Sequence, residues 1–324
     1  MAGTIRVGIV GATVTPGGSG WGANAHVPAL KALPAYELKA VCTAHAETAT
    51  ASATAFGAEL AFSNFDEMIA HPDVDLVVVV VRVPGHYDLV MRALQAGKPV
   101  LCEWPLGASV EQAEQMAALA AERSLATAVG LQARSDPAIM YARDLVQQGQ
   151  LGDILAVSLS SISQAITERG PGRIWQGKRQ NGANTLTIAT GHAIDAVCFI
   201  VGELEDVSAR LATTIPHWRN TETGDLMSVD SPDWIGLTGR ARGGAREAPL
   251  QLLRHARPVA QQPHRVSFPE SGHVILRRHD EGSFAALRMT GRLGRGGNRY
   301  SGTPRANARK RCQASAAGGP ARRR

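Results

Sequence analysis

At 324 residues, 44% of them hydrophobic, the chain is long enough for two domains with cores of their own. Its longest apolar run, Leu76 to Val81, is far short of a membrane span, and no basic segment leads into a long apolar stretch at the start. Membrane insertion and secretion are therefore not indicated, and a cytoplasmic setting is expected. The net charge of +6 hides a split: residues 1–239 carry 15 Lys+Arg against 24 Asp+Glu, 15 − 24 = −9, whereas residues 240–324 carry 19 against 4, 19 − 4 = +15.

The apolar run Ile5, Val7, Ile9 and Val10 reads as a strand. It feeds a glycine-rich loop (Gly11, Gly17, Gly18, Gly20, Gly22) and then a helical segment with Val27, Leu30 and Leu33 on its apolar face. Strand, glycine loop and helix in this order form a dinucleotide-binding entry, because glycine lets the backbone approach a pyrophosphate and a helix start stabilises its charge. The spacing departs from G-x-G-x-x-G: Ala12 and Thr13 follow Gly11, and a longer turn containing Pro16 precedes the next glycines.

Further along, YELKAVCT (36–43) predicts a second strand and AETATASATAF a helix. AELAF predicts a short strand, and FDEMIA a short helix after Asn64. DLVVVVV has the unbroken apolar character of a buried parallel strand. HYDLVMRALQAG predicts a helix stopped by Gly97, KPVLCEW a strand, SVEQAEQMAALAAER a capped helix and LATAVGL a strand. Strands and helices alternating in this way imply right-handed parallel crossovers. Residues 1–130 are therefore expected to be an α/β, doubly wound Rossmann-like domain.

From Ser135 the rhythm changes. Asp136 and Pro137 open a helix that closes near Gly149 or Gly152, Ile154 to Ser163 reads as a strand, and a polar, glycine-bearing loop runs to about Asn184. A helix over 186–201 and possible antiparallel strands follow, so 131–239 is expected to be a partial α+β domain with an open antiparallel sheet. Residues 240–324 hold 18 Arg, one Lys, no Trp and little visible periodicity. They read as an aberrant or disordered Arg-rich tail: translation out of frame after about residue 240 is favoured, plain disorder is a second reading, and nucleic-acid binding is disfavoured for want of stacking aromatics. Cys42, Cys102, Cys198 and Cys312 are widely spaced and form no zinc-binding pattern, so no metal is expected.

Three segments carry a resemblance: GIVGA with HVPAL, then VPGHYDLVMRALQAGKPVLCEWPLG, then GHAIDAVCFIVGE. Together they resemble the glucose-fructose oxidoreductase / inositol dehydrogenase (Gfo/Idh/MocA) family over residues 4–239. Within it they resemble the branch of the fungal galactose-regulon repressor. The resemblance implies an NAD(P)-binding protein with a sugar-like or cyclitol ligand, a protein partner in the repressor branch, and a homo-oligomer if the second domain is intact. It places Gly11, Ala12, Thr13 and the Gly20, Trp21, Gly22 turn along the pyrophosphate, and Thr43 and His45 at the adenine ribose. No Asp or Glu stands between Thr43 and Ala46, so NADP is slightly favoured over NAD. Pro84, His86, Glu103 and Trp104 fall on the nicotinamide side, and Arg134, His192 and Asp195 near the substrate. Read singly, His86 also fits a helix cap, Thr43 a turn and Arg134 a surface ion pair.

One departure bears on chemistry. Family enzymes place a lysine between the glutamate and proline of E-K-P, where it helps take the substrate proton; here Trp104 stands there, and an indole N–H only donates. The acid usual four residues before the family histidine is replaced by Ile188. His192 is left as the candidate base, with Asp195 on the same helical face to orient it or anchor the helix. An oxidoreductase using His192 and a catalytically silent NAD(P)-binding sensor or co-regulator are the two expectations.

Overall fold

The computed structural model describes residues 3–14, 20–154, 156–242, 248–257, 271–277 and 284–290. Pro16, Gly17 and Gly18 of the opening loop, and everything after residue 290, lie outside the described residues.

The first domain is a six-stranded parallel sheet in the order β3-β2-β1-β4-β5-β6. Its strands are β1 (Ile5–Val10), β2 (Tyr36–Cys42), β3 (Leu60–Phe62), β4 (Leu76–Val79), β5 (Val100–Glu103) and β6 (Thr127–Gly130). Between them run α1 (Val27–Ala32), α2 (Ala46–Phe56), α3 (Phe65–Ala70), α4 (His86–Gln95) and α5 (Val110–Glu122), with a π-wound turn over Gly22–His26 leading into α1. Alternation of side chains along a strand explains the apolar run of β4: Val77 and Val79 pack against α3, α4 and α5, and Val78 and Val80 against the α1 and α2 face. Each of these fully buried aliphatic chains contributes roughly 1.5–3 kcal/mol. The helices start where the sequence marks them, Asn64 accepting from the Asp66 N–H and Ser109 from the Gln112 N–H.

The sheet order reverses at β1, which lies between β2 and β4. In open α/β sheets ligands bind at such a reversal, beyond the carboxyl ends of the strands.

The second domain places α6 (Pro137–Gln147) and α7 (Gly191–Val201) on one face of a six-stranded sheet in the order β15-β14-β7-β13-β12-β9. Its strands are β7 (Val157–Gln164), β9 (Glu203–Ala212), β12 (Trp234–Arg242), β13 (Ala248–Arg257), β14 (Ser271–Arg277) and β15 (Phe284–Thr290). All neighbours run antiparallel except β7 and β13. A small second sheet joins β8 (Glu168–Arg169), β10 (His217–Asn220) and β11 (Leu226–Ser228).

Two expectations change. The boundary at 239 falls inside β12, which pairs with β9 as far as Arg242 and with β13 as far as Ala241. Past it, β13 fills the place between β12 and β7, and its Leu252, 1% exposed, joins the core of α6 and α7. The sheet is therefore not truncated at 239: backbone ladders are blind to an arginine-rich composition, and Leu252 of β13 is buried in the same core. The helix expected over 186–201 begins as a π-wound turn, Thr185–Thr190, before α7. Asn184 starts it through a reciprocal capping box with Thr187.

Candidate active-site cleft

A cleft of about 1450 Å³ opens at the ends of the first-domain strands and is walled on its far side by the second domain. Gly11, Thr13, Trp21, Thr43, His45, His86, Glu103, Trp104 and His192 all line it.

On the first-domain wall, Gly11 has φ +98° and its N–H donates to Cys42 O at 3.2 Å. A Cβ there would sit 2.4 Å from the Val80 carbonyl oxygen, so packing of β1 against the end of β4 already demands glycine, before any ligand is considered. Ala12 is fully buried against Gly22, behind the wall. Gly20 has φ +68° and accepts from the Asn24 N–H, opening the π-wound turn. At the end of β2, the hydroxyls of Thr43 and Thr48 lie 2.6 Å apart and both donate to His45 O, while the His45 ring is exposed. Ala44 completes a stretch without carboxylates.

At the end of β5 the Glu103 carboxylate accepts from His26 Nε2 at 2.6 Å. Trp104 reaches across the cleft, its Nε1–H donating to Thr187 O at 2.7 Å in the π-wound turn. A Cβ on Gly191 would meet that indole nitrogen at 2.8 Å, so the glycine of G-H is the seat of Trp104. The His192 ring lies 6.4 Å from the indole, centre to centre. Burial lowers the His192 pKa, with Glu103 and Asp195 pulling the other way. Ile188 lines the cleft where the resemblance would put an acid.

Some expected roles are not met. His86 is buried, with Nδ1 2.9 Å from Pro105 O and Nε2 3.0 Å from Val81 O. The ring sits between two backbone carbonyls and, when neutral, donates its one N–H to one of them, bridging the end of β4 and the end of β5. Burial depresses its pKa. Pro84 is exposed on the turn before α4 and does not line the cleft. Arg134 and Asp195 do not line it either: Arg134 holds Asp195 through Nη2 at 2.6 Å and Nε at 2.9 Å. Asp195 therefore anchors α7 to the turn before α6 and does not orient His192.

Other cleft residues were not singled out from the sequence: Arg82, Arg169, Arg173, Trp175, Gln176 and Trp218. Four of these fall in the stretch read as a polar loop. Its tryptophan beside two arginines, in a chain with five Trp, was the available signal.

A doubly wound sheet with its glycine turn at the order reversal, facing an α+β domain across a cleft, defines a two-domain dinucleotide-binding oxidoreductase architecture. Residues 5–131 match the oxidoreductase family with an NAD-binding Rossmann fold (GFO_IDH_MocA), and residues 137–252 match the Gal80p C-terminal domain, thirteen residues beyond the boundary expected at 239 (252 − 239 = 13). The chain is 34% identical over 269 residues to dehydrogenase aclE of Aspergillus oryzae, covering 80% of this chain and 72% of that protein. It is 27% identical to the galactose/lactose metabolism regulatory protein GAL80 of Saccharomyces cerevisiae over 75% of this chain but 59% of the relative. Levoglucosan dehydrogenase, solved in complex with NADH and L-sorbose, superposes with a TM-score of 0.73 over 89% of this chain and 80% of its own, at 21% identity. The chain belongs to the Gfo/Idh/MocA family of NAD-binding oxidoreductases and carries a Gal80-like second domain. Among the described residues no helix is long and apolar enough to cross a membrane.

Proposed function

We propose that the chain is an NAD(P)-dependent oxidoreductase that oxidises a hydroxyl on a sugar-like or cyclitol ring, with His192 as the proton acceptor. One observation carries this reading. Among four polar groups of the cleft, Glu103 is bonded by His26, His86 lies between two backbone carbonyls and Asp136 is held by the amides it caps; of these four only His192 has no hydrogen-bond partner among the described residues. A ring whose pKa is pushed below the ordinary histidine value is neutral at pH 7 and can accept a proton there.

The residues fit a dinucleotide. Among the described residues no side chain caps the first turn at Gly22; the Asn24 N–H is taken by Gly20 O, which leaves the Gly22 and Ala23 amides for an anion, and the Gly11 turn lies at the strand-order reversal. In this reading Gly11, Ala12, Thr13, Gly20, Trp21 and Gly22 shape the pyrophosphate site, and Thr43, Ala44 and His45 receive the adenine ribose. The absence of a carboxylate there favours NADP over NAD. When bound, the nicotinamide supplies the hydride acceptor. His192 takes the hydroxyl proton, and Trp104, fastened to Thr187, keeps the π-wound turn and the start of α7 against the end of β5. A cytoplasmic homo-oligomer completes the proposal.

Quenching of indole emission by NADPH and NADH, followed by a turnover panel of levoglucosan, galactose and myo-inositol, tests it. Micromolar coenzyme binding with turnover lost in His192→Ala is expected. Absence of coenzyme binding at millimolar concentration overturns the reading.

Trp104 and Ile188, in place of the family lysine and acid, support a second reading, a silent coenzyme-binding sensor for a protein partner. Coenzyme binding without turnover in the native chain, and turnover gained in Trp104→Lys, would favour it.

A further inference from the structure

Four of the five tryptophans, Trp21, Trp104, Trp175 and Trp218, line the cleft. Two of them carry guanidinium groups: Arg169 Cζ lies 5.4 Å from the Trp218 ring centre, and Arg82 Cζ lies 5.8 Å from that of Trp175. The second contact crosses the cleft from the turn before α4 to the second-domain wall. That wall is preformed. Trp175 Nε1 donates to Gly172 O at 2.9 Å, its carbonyl accepts from Asn181 Nδ2 at 2.6 Å, and Trp218 is only 6% exposed.

Outside the cleft, Arg6, Arg92, Arg134 and Arg143 each reach an aspartate, and Arg123 and Arg219 donate to backbone carbonyls. Arg82 and Arg173, in the cleft, have no ion pair among the described residues, and the cleft carboxylates Glu103 and Asp136 are held by His26 and by the first amides of α6. A guanidinium offers donors only, and its fork matches the two oxygens of an oxyanion. This wall sets aromatic faces and the Arg173 guanidinium beside the Gln176 amide, so a ring with hydroxyls and a negative group would find both donors and an acceptor.

We propose that the ligand of the second-domain half of the cleft is a hydroxylated ring bearing a carboxylate. The ring face stacks on Trp175, and the carboxylate is taken by Arg173 with Arg82 opposite. The hydroxyl's oxidation rests on the oxidoreductase reading above; the acid site does not. The same oxyanion chemistry could come from a coenzyme phosphate, and the experiment separates the two sources.

Full-length protein is titrated, by indole fluorescence, with galacturonate and quinate against galactose and myo-inositol, with and without NADPH. The acids are expected to bind about tenfold or more tighter than the neutral rings. Arg173→Gln should erase that preference and leave the NADPH Kd unchanged, Arg173→Lys should restore part of it, and Arg82→Gln tests the opposite wall independently. Equal affinity for acid and neutral ring, or no acid binding, overturns the proposal. So does an Arg173→Gln effect confined to NADPH, which would give the guanidinium to the nucleotide. If NADPH fails to bind while the acid preference holds, the coenzyme reading falls and the acid site stands.

Discussion

The two walls of the cleft are built on opposite principles. The first-domain wall beside the glycine turn is made largely of small groups, Gly11, Thr13, Thr43 and Ala44, just past the ends of β1 and β2, with Thr48 of α2 behind them and Trp21 and His45 at the edge. The second-domain wall consists of large side chains: Arg169 on β8, Trp218 on β10, His192 on α7, and Arg173 and Trp175 on the short turn between β8 and α7. Backbone N–H groups and shape can hold a nucleotide, so that wall needs side chains kept out of the way. A ring with its own hydroxyls and charge has to be met by side chains, so the other wall varies with the ligand. The walls meet at Glu103, Trp104 and His192, where the proposed chemistry would fall.

Substitutions on either side should behave differently, and the largest effect belongs to the meeting point. His192→Ala is expected to lower kcat/KM about 10²- to 10⁴-fold in steady-state assays, with coenzyme affinity unchanged. The native pH profile sharpens this. Because burial holds the His192 pKa below the ordinary 6.5, the neutral, accepting form persists into mild acid. Activity should therefore fall only as pH drops below 6.5, and an acid limb centred above 6.5 would remove His192 from the role.

Gly11→Ala places a methyl 2.4 Å from the Val80 carbonyl oxygen at φ +98°. It should cost roughly 2–4 kcal/mol in urea unfolding with or without coenzyme, because the clash is with protein. Thr43→Asp is milder: a carboxylate at the end of β2 should shift the ratio of NADPH to NADH affinity about tenfold toward NADH, roughly 1.4 kcal/mol, read from paired titrations. Arg134→Ala breaks an ion pair in which Arg134 is 46% exposed and Asp195 10%. At about 1 kcal/mol or less of stability and little change in turnover, it should be the smallest effect. A large loss of activity there would return the pair to the substrate site.

Legibility followed the range of the interactions. β4 and α4 could be read because their signals are local: an unbroken valine run for a strand covered on both faces, and apolar spacing ended by Gly97. The placing of Glu103, Trp104 and His192 on one cleft followed from the family resemblance, and the geometry brings all three to it. His86 lines the cleft, but its place between carbonyls five and nineteen residues away could not be seen in the sequence. For Asp195 the sequence left two roles open, orienting His192 or anchoring the helix, and it could not choose because the Arg134 guanidinium that anchors it lies sixty-one residues away. β13 was hidden by arginines around its leucines, and the wall with Arg173 and Trp175 was hidden in a polar, glycine-bearing loop.

By itself, then, the order of residues determined the doubly wound half, its capped helices, the glycine turn and the loss of the lysine at Trp104, since periodicity, capping and motif spacing act between near neighbours in the chain. Only the tertiary structure decided which polar groups are already engaged, that the second sheet continues through β12 into β13, and that Arg82 meets the Trp175 ring across the cleft. Those outcomes depend on which distant groups fold together to satisfy or leave open each donor, acceptor and charge.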